Sequence, residues 1–148
     1  SGMLAVKGLA AAQVEAIATR LQDRYLIAVA NYNAPQQTVL SGEQEAIQKA
    51  QAAVLEQGGK PAPLNVSGPW HSPLMREAAE RFAVVLDRAT FHPPRLPVFL
   101  NVTGSPGRDA GAIKIALEQQ IQNPVRWSQL IEGMLDVGAG TFIEVGPG

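Results

Sequence analysis

The chain has 148 residues, 46% hydrophobic and 17% charged, with 12 Lys+Arg against 13 Asp+Glu for a formal net charge of -1. That is one domain's length with enough apolar matter for a core, and the charge balance excludes a general electrostatic grip on nucleic acid or on an anionic membrane. No cysteine is present, which excludes disulfides, thiolate metal centres and a cysteine nucleophile; with no signal-like start and no long apolar run, the expected location is cytoplasmic.

Met3 to Val6 is a short apolar run closed by Lys7-Gly8 and predicts a strand. Val14, Ile17, Leu21 and Tyr25 recur at helical spacing, so 10–24 is predicted as an amphipathic helix. The run Leu26 to Tyr32 breaks at Asn33-Ala34-Pro35, where the proline keeps Ala34 extended. Thr38 to Leu40 is a second strand, close enough to pair as a hairpin. Ser41 and Gln44 have capping-box spacing, and the helix they predict buries Ile47, Ala50 and Val54 and stops at Gly58-Gly59. Pro61 to Val66 supplies one more strand. The order β-α-β-β-α-β over 1–67 is the ferredoxin-like pattern, which hosts many functions.

After Gly68 the organisation changes. Ser72 reads as a helix cap with Pro73 in the first position, and Met75, Ala78, Ala79, Phe82, Leu86 and Ala89 give that helix a core face. A proline-rich stretch leads to a strand over Val98 to Val102, and Gly104 to Gly107 reads as a tight turn. Residues 109–121 look helical. Asn123-Pro124 restarts a helix carrying Trp127, Leu130, Met134 and Val137, which Gly138 ends, and Thr141 to Val145 is a last strand. This alternation in 68–148 suits one flank of a parallel α/β sheet, incomplete at both ends. The fold class expected for the whole is therefore α/β with an α+β subdomain.

Few residues carry chemistry. No G-x-G-x-x-G, phosphate loop or G-x-S-x-G elbow occurs. His92 sits in the proline-rich connection and reads as a surface histidine, while Glu43, Glu45, Glu77 and Glu80 read as solvated helix positions. His71 differs, because "VSGPWHSPLM" presents it at a forced turn between the two halves, just before a helix start. The positive end of the helix macrodipole disfavours an imidazolium there, and a neutral imidazole is what a general base offers. From the residues alone two readings stand: a histidine packing the seam, or a base.

The strings "NYNAPQQTVLSG", "VSGPWHSPLM", "QNPVRW" and "FIEVGPG" occur in the order and spacing seen in malonyl-CoA:acyl carrier protein transacylases and the related acyltransferase domains of polyketide and fatty acid synthases. The resemblance covers essentially the whole chain. It implies a ferredoxin-like subdomain beside an α/β-hydrolase-like body, and a ping-pong transfer of malonyl from CoA to the phosphopantetheine thiol of acyl carrier protein through an acyl-serine. By position, His71 resembles the catalytic histidine and Gln120 the residue whose backbone carbonyl sets its tautomer. Asn123 with Pro124 would aim that carbonyl, Asn31 and Asn33 would line the cleft for the pantetheine arm, and Trp70 would bear on acyl selection. Packing is the competing role for Trp70, turn chemistry for the two asparagines, and an ordinary helix end for Gln120. No cofactor or metal is implied.

The family's elbow serine, its oxyanion donors and the arginine that grips malonyl have no counterpart in these residues. The expectation is a C-terminal portion of such an enzyme, inactive alone and partnered by the missing N-terminal part. The rival reading is a non-catalytic module that binds carrier protein or pantetheine. An RNA-binding ferredoxin-like fold fits poorly, since aromatics are only 5% of the chain.

Overall fold

A computed structural model describes residues 1–146. Strand β1 (Gly2–Lys7) leads to helix α1 (Ala11–Gln22), then β2 (Ile27–Ala34), β3 (Gln37–Gly42), helix α2 (Gln44–Glu56) and β4 (Lys60–Leu64). The four strands form one antiparallel sheet in the order β2-β3-β1-β4, the ferredoxin-like arrangement expected from the pattern. Period-2 alternation sorts β1 and β3 cleanly. Leu4, Val6 and Leu40 face α1 and α2 and meet Val14, Ile17, Ile47 and Val54 in the main core. Met3, Ala30 and Val39 cluster separately on the other face of the sheet.

The start of α2 differs from the capping box expected at Ser41. Strand β3 runs on through Gly42, with Ser41 opposite Met3 and fully buried. The N-cap is Glu43, whose N–H donates to the Leu26 carbonyl while its carboxylate accepts from the Leu26 N–H. Ladder pairing to β1 outcompetes a local serine cap at this point. Gly58 takes φ +79 and closes the helix as expected.

The second half packs helix α3 (Arg76–Leu86), strands β5 (Val98–Leu100) and β6 (Ser105–Gly107), and helices α4 (Ala110–Gln120) and α5 (Trp127–Asp136). Ser72 does not cap by its side chain. Its hydroxyl donates to the Pro69 carbonyl at 2.6 Å, and the helix opens as a 3-10 turn over Pro73–Met75. Asp109 is a true cap, accepting from the Ala112 N–H at 2.8 Å.

The overall class is mixed α/β, but the pairing in this half departs from the expected parallel flank. β5 and β6 form an antiparallel two-stranded ribbon, so the segment read as a tight turn is partly strand. Thr141 to Val145 is not a strand. Among the described residues it has no ladder partner, and Ile143 is 81% exposed. A strand exists only by pairing, so an apolar run without a neighbour stays irregular however high its β-propensity. Pro147 and Gly148 of the "FIEVGPG" string lie outside the described residues. No helix among the described residues is long and apolar enough to cross a membrane.

Candidate active site

His71 is the one non-glycine residue with positive φ among those described, at 59°. Such backbone conformations cost roughly 1–3 kcal/mol and persist only where the surroundings over-determine them. Two bonds do so here. The His71 N–H donates to the Ile121 carbonyl at 3.1 Å, and the ring Nδ1 lies 3.0 Å from the Gln120 carbonyl oxygen, 49 residues away in sequence. A carbonyl can only accept, so Nδ1 carries a proton, and in the neutral imidazole it is Nε2 that holds the free lone pair. The Gln120 side-chain Nε2 is 3.5 Å from the same Nδ1. That contact would need Nδ1 as acceptor, and the shorter, carbonyl-bound arrangement excludes it.

Because the partner is a main-chain carbonyl, Gln120→Ala is expected to keep the imidazole in place. A two-bond nitrogen–proton correlation spectrum of His71 should show the Nδ1–H form unchanged. Loss of that form would assign the work to the side chain instead.

Asn123 is used locally. Its Nδ2 donates to the Gln119 carbonyl at 2.8 Å, and its own carbonyl lies 3.4 Å from the Gln120 side-chain nitrogen. It therefore closes the end of α4, at the carbonyls that meet His71. Beyond it, Val125 adds to the edge of the sheet. Its N–H donates to the Ala30 carbonyl at 2.8 Å, and its carbonyl accepts from the Tyr32 N–H at 2.9 Å, a parallel bridge centred on Asn31.

Asn31 follows a β-bulge, because Val29 opposes Leu40 while Asn31 opposes Val39. The extra residue re-aims the strand, so Asn31 shares the register position of Val39 on the helix-free face. A second irregularity falls between Tyr32 and Ala34, at Asn33. Both asparagines are half-buried. Trp70 adjoins His71 and is 41% exposed, with its indole over Gly68. His92 is exposed in its loop, as read from the sequence.

His71, Gln120 and Asn123 thus come together directly, Trp70 by adjacency and Asn31 through Val125. Sequence reasoning missed Ile121 and Arg126. The first acts through its backbone, which no residue identity reveals. The second was visible only as a letter in "QNPVRW". Tyr32 was also missed. Burial, and then its hydrogen bond to Glu15 at 2.7 Å, push its phenol up to about 12, so it stays a donor.

A family model described as an acyl transferase domain matches residues 1–148. The chain belongs to the acyl transferase family. A malonyl CoA-acyl carrier protein transacylase of Salmonella typhimurium is 39% identical over 148 aligned positions that cover 99% of this chain and 48% of that protein. The crystal structure of an acyl carrier protein S-malonyltransferase from Vibrio cholerae superposes with a TM-score of 0.95 at 34% identity, covering 99% of this chain and 48% of the other. A malonyl-transacylase solved in complex with a type II polyketide synthase acyl-carrier protein gives 0.94 at 36% identity, with 99% and 48% covered. This acyl transferase chain spans about half the length of the curated relatives it matches.

Proposed function

We propose that these residues are the base-bearing portion of a malonyl-CoA:acyl carrier protein transacylase working by a serine–histidine ping-pong route. In this reading 1–67 is the small ferredoxin-like subdomain and 68–148 belongs to the large subdomain. The observation that carries it is the Nδ1–H of His71 held by the Gln120 carbonyl, which leaves Nε2 free to take a proton. A carbonyl dipole here does the orienting that a carboxylate does in a triad.

The chemistry then follows. His71 Nε2 removes the hydroxyl proton of a serine supplied by residues outside these 148. The serine oxygen attacks the malonyl thioester, the C–S bond breaks, and the CoA thiolate leaves with the proton from the imidazolium. The pantetheine thiol of carrier protein next gives its proton to Nε2 and attacks the acyl-serine. The serine oxygen recovers that proton as it departs. Asn31 and Asn33 line the approach of the pantetheine arm, Asn123 shapes the turn below it, and Trp70 narrows the acyl pocket towards unbranched malonyl, a discrimination of about 1–3 kcal/mol per methyl. No cofactor takes part, and the reaction belongs to the cytoplasm.

The remainder of the enzyme also needs a seat. Trp127, Phe142, Ile143 and Val145 are 49%, 49%, 81% and 93% exposed. Trp127, Phe142 and Ile143 line one shallow pocket. Exposed apolar surface of this kind marks an interface, and in this reading it seats the portion of the enzyme that carries the serine.

The test is malonyl-CoA turnover. The 148-residue chain alone is expected to give the buffer-blank rate, because no G-x-S-x-G occurs in it, and the whole enzyme to transfer malonyl to holo carrier protein. Turnover by the chain alone well above the blank would overturn the assignment of the nucleophile.

A further inference from the structure

The two carbonyls that hold His71 sit at the last turn of α4, where helices fray. A frayed end cannot by itself keep an imidazole and a strained backbone in register. Something beyond residue 121 must pin the segment. Val125 is bonded on both sides to β2. The next residue, Arg126, is tied to both halves of the chain. Its N–H donates to the Asn101 carbonyl at 3.0 Å, and its Nε donates to the Val102 carbonyl at 3.0 Å. Its guanidinium carbon lies 5.6 Å from the centre of the Tyr32 ring on β2, within cation–π range. The Tyr32 hydroxyl is in turn anchored on Glu15 of α1.

We infer that Arg126, seated between β2 and the turn after β5, is a positioning residue that holds the Gln120–Ile121 carbonyl pair against His71 across the two halves of the chain. It never touches the reacting atoms. Its planar fork joins an aromatic face and a carbonyl at once, which a lysine cannot reproduce. The α4 end is thereby clamped five residues after Ile121, and the tautomer of His71 depends on that clamp. The inference rests on the reading of His71 as the base, and its test separates the two.

The experiment is two-bond nitrogen–proton correlation on the whole 15N-labelled chain near neutral pH, with His92 as an internal exposed reference. The wild type is expected to favour the Nδ1–H form of His71 about fivefold, the ratio set by one net hydrogen bond. Arg126→Ala is expected to collapse that preference towards the averaged pattern of His92 while the amide spectrum stays dispersed. Arg126→Lys should recover part of it. Lys114→Ala removes a cation from the helix that carries Gln120 and should change nothing. An unchanged tautomer in folded Arg126→Ala overturns the inference and leaves the His71–Gln120 contact standing. If Arg126→Ala does not fold, Arg126→Lys decides: wild-type proportions overturn the inference and partial loss supports it. An averaging His71 in the wild type overturns the base reading and the inference with it.

Discussion

On the proposed reading of His71 as the base, His71→Ala in the whole enzyme is expected to lower malonyl transfer by about 10²–10⁴-fold, the span that a general base contributes. The loss should fall on kcat and on kcat/KM alike, because the base acts on the proton in flight and adds little to ground-state binding. Alanine at φ 59° is strained, so part of any loss could come from the backbone. His71→Asn removes this ambiguity. Asparagine tolerates the left-handed region, so the variant should fold as well as the wild type and be as inactive as His71→Ala. Steady-state transfer measured beside carrier-protein binding checks the result. Intact binding with abolished transfer is the enzyme outcome. Unchanged transfer in folded His71→Asn would leave the non-catalytic binding module as the better account.

Leu40→Ala is expected to destabilise the chain by about 2–5 kcal/mol. Leu40 is fully buried on β3, an interior strand, with Leu4 opposite it on β1 and Val29 opposite it on β2. Both helices cover that face, so the surroundings cannot collapse into the cavity without moving a whole element. Domains of this size have about 5–15 kcal/mol to lose, and urea unfolding should show the midpoint fall sharply with little change in slope. Ile143→Ala is the contrast: at 81% exposed it should shift stability by no more than about 0.5 kcal/mol. A Leu40→Ala loss under 1 kcal/mol would mean the sheet is not the stable core of the molecule.

The elements most legible in the sequence were those whose burial is one-sided. Val14 and Ile17 on α1 and Ile47, Ala50 and Val54 on α2 repeat at helical spacing and all face the sheet. The ferredoxin-like order followed from them. Ser41 misled because its capping signal is local, while its fate was settled by Met3, 38 positions earlier, across the ladder. Thr141 to Val145 misled for the opposite reason. It carries a strand's composition but has no ladder partner among the described residues, and β-structure is a property of pairs. β5 was legible within the run Val98 to Val102, but its partner β6 was read as a turn, because a three-residue strand leaves no periodicity to read.

The sequence by itself determined the composition class, the helix faces, the order of the first six elements and the identity of His71 as the residue to watch. These depend on local spacing and on side-chain type, which the chain carries explicitly. Only the tertiary structure decided what meets His71. Its φ of 59°, the carbonyls of Gln120 and Ile121, and the clamp of Val125 and Arg126 onto β2 are contacts between residues far apart in the chain. Most of them are made by backbone atoms, which are the same in every residue, so no spelling of the sequence distinguishes them. They exist because the packed sheet edge and the end of α4 arrive at the same place.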